Sequence, residues 1–95
     1  MKFDWDAEKA RINLAKHGVS FEEAETVFAP AKPAIFEDMP HSDAQWRYVA
    51  IGFSAKQRLL AVFFAREEDL VRIISARKAT KNEEAAYGQA LRQGQ

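Results

Sequence analysis

Between residues 46 and 76 the chain carries three apolar segments joined by turns of only a few residues, and this spacing restricts the fold more than any other feature. In the first segment Arg47, Val49, Ile51 and Phe53 alternate with Trp46, Tyr48, Ala50 and Gly52, the period of a strand. The second, residues 58–65, is almost wholly apolar after Arg58, which predicts a central strand covered on both faces. The third runs over residues 70–76. Ser54, Ala55, Lys56 and Gln57 make the first turn, and Glu67, Glu68 and Asp69 the second. Parallel neighbours need crossovers of about a dozen residues or more, so the three strands are expected to form an antiparallel meander. Phe53, Phe63 and Phe64 are expected in the core.

The segments on either side read as helices. Phe3, Asp4 and Trp5 suit a short first strand, with Asp6 as N-cap of a helix whose apolar positions Ala7, Ala10 and Leu14 share one face. Gly18 ends it, and Lys16 and His17 meet the negative end of its dipole. Ser20 with Glu23 has the form of a capping box, Val19 and Ala24 of a hydrophobic staple, and Phe21, Ala24 and Phe28 of a buried face. Pro30 and Pro33 stop this second helix, and residues 34–36 suit a strand before a polar turn over 37–43. Thr80 with Glu83 caps a last helix. Its apolar positions are Ala86, Tyr87, Ala90 and Leu91, and interior Gly88 makes it marginal, with Gln93, Gly94 and Gln95 frayed beyond it. The expected fold is α+β: an antiparallel meander sheet with two N-terminal helices and one C-terminal helix, in a single domain over residues 1–95.

Composition excludes several function classes. The chain has no cysteine, and His17 and His41 stand far apart, so no thiolate or histidine metal site, and no metal or other cofactor, is expected. No apolar run approaches the roughly 20 residues that span a bilayer, and the polar start is not a signal peptide, which points to the cytoplasm and away from membranes. Net charge is zero, yet residues 1–43 carry nine acids against five Lys or Arg, while residues 44–82 carry eight Lys or Arg against three acids. That asymmetry predicts a local anion site rather than broad electrostatic coating of nucleic acid.

The cations converge where the third strand runs into the last helix, at Arg72, Arg77 and Lys78. A helix N-terminus with arginine beside it suits phosphate, because free N–H groups and guanidinium donors can meet one anion. Arg47 and Arg58 begin their strands, and a meander brings Arg58 towards Arg77. Arg72 and Arg77 are an odd number of residues apart, so a regular strand sends them to opposite faces and ranks Arg77 first. Trp5, Trp46 and Tyr48 offer surfaces on which bases can stack, although core packing is the commoner use of such residues. His17 has the side chain that exchanges protons near neutrality, although its position at a helix end also suits a cap.

Several short motifs in a fixed order carry a resemblance. Phe3-Asp4-Trp5-Asp6, Lys9, Asn13, Lys16-His17-Gly18-Val19, Phe21-Glu22-Glu23-Ala24, Arg47-Tyr48 and Ile51-Gly52 resemble the BrnT toxin family. Arg58-Leu59-Leu60, the run from Arg72 through Ile73, Ile74, Ser75, Ala76, Arg77, Lys78 and Ala79 to Thr80, then Glu83 and Tyr87, extend the likeness over nearly the whole chain. The resemblance implies a RelE-like fold and a bacterial type II toxin–antitoxin system in which the toxin is a ribonuclease that blocks translation. It further implies a BrnA-type antitoxin that neutralises the toxin and carries the DNA-binding module repressing their operon, so that DNA is met only through the antitoxin. Trp5, His17, Arg47, Arg58 and Arg77 occupy motif positions expected at the RNA site, with Arg72 and Lys78 as further RNA contacts. The competing reading is a non-catalytic module of a repressor complex.

Metal-free RNA cleavage uses the substrate's 2′-hydroxyl as nucleophile and needs a base as well as charge stabilisation at phosphorus. Arginine serves the second need but, with a pKa above about 12, not the first. His17 and Glu83 are the two candidate bases, and the sequence leaves them level.

Overall fold

The computed structural model describes residues 1–29, 32–38 and 47–94. Pro30, His41 and Trp46, the turn beyond residue 38 and the last residue, Gln95, lie outside the described residues. Among the described residues five strands make one sheet: β1 (Lys2–Asp4), β2 (Ala34–Asp38), β3 (Arg47–Phe53), β4 (Leu59–Glu67) and β5 (Leu70–Lys78), in the order β1-β5-β4-β3-β2. The helices are α1 (Ala7–His17), α2 (Phe21–Glu25), which tightens into a 3₁₀ turn over Thr26–Phe28, and α3 (Lys81–Arg92).

The meander is present, since β2 to β5 pair antiparallel in sequence order. The sheet as a whole is nevertheless mixed and not antiparallel throughout, because β1 lies parallel to β5, with Phe3 opposite Val71 and Asp4 opposite Arg72. Turn length governs only strands that follow one another. The crossover that parallel pairing needs is here the whole of the chain between the first strand and the last.

The helices differ from expectation in their second member. Thr26 donates its hydroxyl to the carbonyl of Glu23 at 2.6 Å and accepts the N–H of Ala55 at 2.8 Å, so the α-helix gives way to a 3₁₀ turn before Phe28. Ser20 caps α2 by accepting the N–H of Glu23, but the Glu23 carboxylate turns away from the helix end to Ser54 and Arg58. At α3 the reciprocal pair forms in full, with Thr80 and Glu83 satisfying each other's backbone N–H groups. Asp6 caps α1, and Gly18 closes it at φ +70°, a left-handed conformation that costs glycine little.

One face of the sheet carries the core. Val19, Phe21, Ala24 and Val27 from the helical layer pack against Ala50 of β3, Leu60, Val62 and Phe64 of β4, and Val71, Ile73 and Ala76 of β5. Gly52 permits the close approach at one end, where a Cβ would stand 3.2 Å from both Pro33 and Val27. Leu14, expected on the inner face of α1, is half exposed, and the buried residue of that helix is Asn13. Past Arg72, the edge of β5 away from β4 has no strand beside it among the described residues. Asn13 fills the place of one: its Nδ2 donates to the Ala76 carbonyl at 2.8 Å, and its Oδ1 accepts the Ala76 N–H at 3.1 Å. The same Nδ2 donates to the Val19 carbonyl at 2.9 Å, tying α1, the start of α2 and the sheet edge together.

The other face is covered in part by α3, which packs on β3 and β2. Phe53 is not in the core as expected: it is half exposed on this face, edge-on to Tyr87 with ring centres 5.8 Å apart. Phe63 shares the face and is likewise only partly buried, leaving Phe64 as the core phenylalanine of the three.

Candidate nucleic-acid interface

A bulge in β5 decides which side chains meet on the open face. Phe64 pairs with Ile73 and Phe63 with Ser75, so Ile74 is an extra residue in the strand. Inward positions therefore run Val71, Ile73, Ala76, with a step of three across the bulge. The regular alternation that would separate Arg72 from Arg77 is broken, and both arginines share the face opposite the core.

Registered across the sheet, this face consists of three rows. Arg47, Ala65, Arg72 and Asp4 form the first, and Phe36, Val49, Phe63 and Ser75 the second. The third is Ala34, Ile51, Ala61 and Arg77. Arg47 and Arg72 are two strand spacings apart, about 10 Å, and their row lies about 13 Å along β4 from that of Arg77. Cations thus stand at both ends of the strip, and the Phe63 ring lies between them. Arg72 bonds Asp4 at 2.5 Å, with both side chains about half exposed, a pairing that an incoming anion can exchange at little cost. A cavity of about 270 Å³ lined by Ala65, Glu67, Leu70 and Arg72 continues the face towards the β4–β5 turn.

Arg77 is held on three sides. Its guanidinium carbon lies 5.1 Å from the centre of the Phe63 ring, and Nη1 and Nη2 donate to the two carboxylate oxygens of Glu83 at 2.7 and 2.9 Å. Nη1 also reaches the Lys78 carbonyl at 3.3 Å. Burial pushes the Glu83 carboxyl up, but the hydrogen bonds from Arg77 and Thr80 outweigh it and hold the group below the usual carboxylate range. Glu83 in turn raises the Arg77 guanidinium further above its ordinary value.

The remaining expected site residues lie elsewhere. Arg58 is on the helical side of the sheet, where it donates through Nε to Glu23 at 2.9 Å, through Nη2 to the same carboxylate, and through Nη2 to the Gly18 carbonyl at 3.0 Å. Its expected approach to Arg77 does not occur, because Ala61 pairs with Arg77 and Leu60 with Lys78, which puts Arg58 and Arg77 on opposite faces. Trp5 packs edge-on to Phe21 and Tyr48 stacks on Phe64, so both aromatics belong with the core. His17 closes α1 beside Lys9, Lys16 and Ser75 at a shallow cavity of about 190 Å³ on the edge of β5. Lys78 is exposed at the end of its strand. Of the aromatics that do share the arginine face, Phe36, Phe53 and Phe63, it is Phe63 that lies against Arg77. The pairing of Phe63 with Val49, two residues on from Arg47, was the available signal. Among the described residues no group of three or more His, Asp or Glu is arranged so that it could hold a metal ion, and no helix is long and apolar enough to cross a membrane.

Comparison with curated proteins produced no match. Among solved structures, the chain is similar to the ribonuclease toxin BrnT of Brucella abortus, determined by crystallography at 1.1 Å. The two share 28% sequence identity with a TM-score of 0.61, over 85% of this chain and 99% of that one. Residues 5–83 match the family described as ribonuclease toxin, BrnT, of type II toxin–antitoxin systems, a span running from Trp5 through every strand of the meander to Glu83. The chain belongs to the BrnT family of ribonuclease toxins.

Proposed function

We propose that this chain is a metal-independent endoribonuclease with a RelE-like working principle, which halts translation in the bacterial cytoplasm until a BrnA-type antitoxin neutralises it. The observation that carries this reading is the setting of Arg77, a guanidinium backed by an aromatic ring and fixed by a carboxylate on the open face of the sheet. Donors placed in advance in this way stabilise charge that develops at phosphorus. Arg47 and Arg72 hold flanking phosphates, Lys78 adds charge at the rim, and Phe63 offers a surface for a base. The nucleophile is the RNA's own 2′-hydroxyl, so the chain need supply only position, charge and proton transfer. Arg58 and Trp5 support this site from the other side of the sheet by joining α2 and β1 to it. The antitoxin, which brings the DNA-binding module, inhibits by covering the arginine face.

Two measurements test the proposal. Induced alone in bacteria, the wild type arrests growth, whereas Arg77→Ala and Arg47→Ala variants with unchanged circular dichroism do not. Purified protein cleaves RNA equally with and without a chelator and leaves 2′,3′-cyclic phosphate or 3′-phosphate ends. Chelator-sensitive cleavage leaving 3′-hydroxyl ends would rule the mechanism out.

A further inference from the structure

The two candidate bases left level by the sequence are separated by the fold. His17 stands at the end of α1 beside the free edge of β5, outside the arginine strip. Glu83 lies in that strip, bonded to the residue on which the ribonuclease reading rests. Its two oxygens are not equivalent. Oε1 accepts from the Thr80 N–H at 2.8 Å as well as from Arg77, whereas the hydrogen bond that holds Oε2 comes from Arg77 Nη2.

We propose that Glu83 is the general base of RNA cleavage and that the substrate itself releases it: a backbone phosphate takes the Arg77 donors, leaving Glu83 anchored through Oε1 with Oε2 free to accept the 2′-hydroxyl proton. This deepens the ribonuclease reading and rests on it. A phosphate suits the exchange because it offers the guanidinium fork the same two-oxygen geometry as the carboxylate. Arg77 keeps its Phe63 backing and Lys78 carbonyl while it changes partner, and the capping bond to Thr80 keeps Glu83 from swinging away. In the reaction O2′ bonds to phosphorus as its proton passes to Oε2. The P–O5′ bond breaks with its electron pair on O5′, which takes a proton from water, and the hydroxide so formed recovers the proton from Glu83. The products are a 2′,3′-cyclic phosphate and a 5′-hydroxyl, and the enzyme is unchanged.

The exchange also activates the base. In the free protein Arg77 is the charged side chain bonded to Glu83; among the described residues Arg47 faces the same side from β3, and Lys81 and Glu84 flank it on α3. Losing Arg77 to a phosphate removes the main influence that lowers the Glu83 carboxyl, retains the burial that raises it, and adds an anion nearby. Glu83 is therefore a weak base in the free protein and a stronger one in the complex.

The experiment compares wild type with Glu83→Gln, which keeps an oxygen for the Thr80 N–H. Cleavage of a single-stranded RNA is expected to fall at least about 100-fold. Affinity for the same sequence made entirely of 2′-O-methyl nucleotides, which cannot be cut, is expected to hold or rise, because nothing then competes for Arg77. In the wild type the acid limb of kcat is expected at higher pH than that of kcat/KM, since the first reports the complex and the second the free enzyme. Coincident limbs, or a Glu83→Gln variant within about threefold of wild-type cleavage, overturn the proposal. Should that variant fail to fold, carbon-13 NMR of wild-type carboxylates decides: Glu83 must titrate at higher pH with the 2′-O-methyl RNA bound, and an unmoved titration overturns the release. A wild type that cleaves no RNA sinks the ribonuclease reading itself, whereas an active wild type with an active Glu83→Gln variant sinks only the assignment of the base.

Discussion

Glu23 and Glu83 stand in the same local pattern, three residues after a hydroxyl N-cap, and the fold gives them opposite tasks. Glu83 returns to its own helix end and to Arg77, while Glu23 leaves its helix and is buried between Ser54, at 2.7 Å, and Arg58. The hydrogen bond from Arg58 holds the Glu23 carboxyl below its ordinary value of 4.5 against the opposing effect of burial, and Ser54 adds to the lowering. A depressed folded-state value means that this interaction stabilises the protein above the unfolded glutamate's titration and is lost as pH falls through the folded one. Glu23→Gln is accordingly expected to cost about 2 kcal/mol near pH 7, roughly 10 °C in melting temperature, with the gap to wild type closing at a pH well below the ordinary glutamate value of 4.5. Thermal melts at the two pH values check it, and a gap independent of pH would show that packing rather than charge is lost. The pattern in sequence revealed the caps but not the partner, since Arg58 lies 35 residues away. Asn13 was equally opaque. A polar residue in an amphipathic helix ordinarily faces water, and only the missing strand beside Ala76 explains its burial.

At the level of elements, the strands were legible because their turns were short and their alternation regular. The bulge was not. Ile73 and Ile74 are chemically alike, so either can be the inward residue, and only the pairing with β4 selects Ile73. That one inserted residue carries Arg77 to the face of Arg72, and with it the composition of the site. The last helix was legible in its start and its end. Gly88 lies inside α3 at negative φ, and a Cβ there would meet only the Arg92 side chain at an ordinary 3.6 Å. Gly88→Ala is therefore expected to stabilise the protein by about 0.5–1 kcal/mol, read in urea unfolding, and to slow amide exchange in the helix. A destabilised variant would mean that the site tolerates no added atom.

For the molecule as a whole, zero net charge and a basic strip make a measurable combination. Binding of single-stranded RNA through phosphates at Arg47, Arg72 and Arg77 releases counterions, so log Kd should change with log salt by a slope of about 2. Arg47→Ala should reduce the slope by about 0.7, and filter binding over a range of salt concentrations measures both. A slope several times steeper would imply contact over much more of the surface than the strip. Charge distribution along the chain pointed to a local anion site, but gave no sign that the sheet would divide its arginines, sending Arg58 and Arg66 to the helical side and Arg47, Arg72 and Arg77 to the open one. That division depends on register, which a sequence expresses only through partners distant in the chain.

The seam between β1 and β5 also sets a timetable. Asp4 and Arg72 are 68 residues apart, and the first strand has no place to dock until the last one exists. Closing so long a loop is slow compared with the turns of the meander. During synthesis the same order holds in space, because β5 follows the other four strands off the ribosome and carries two of the three arginines of the strip. A growing chain therefore lacks the completed arginine strip until β5 has emerged. A member of a ribonuclease toxin family is thus built so that its arginine strip is complete only once the message encoding it has been read past Arg77.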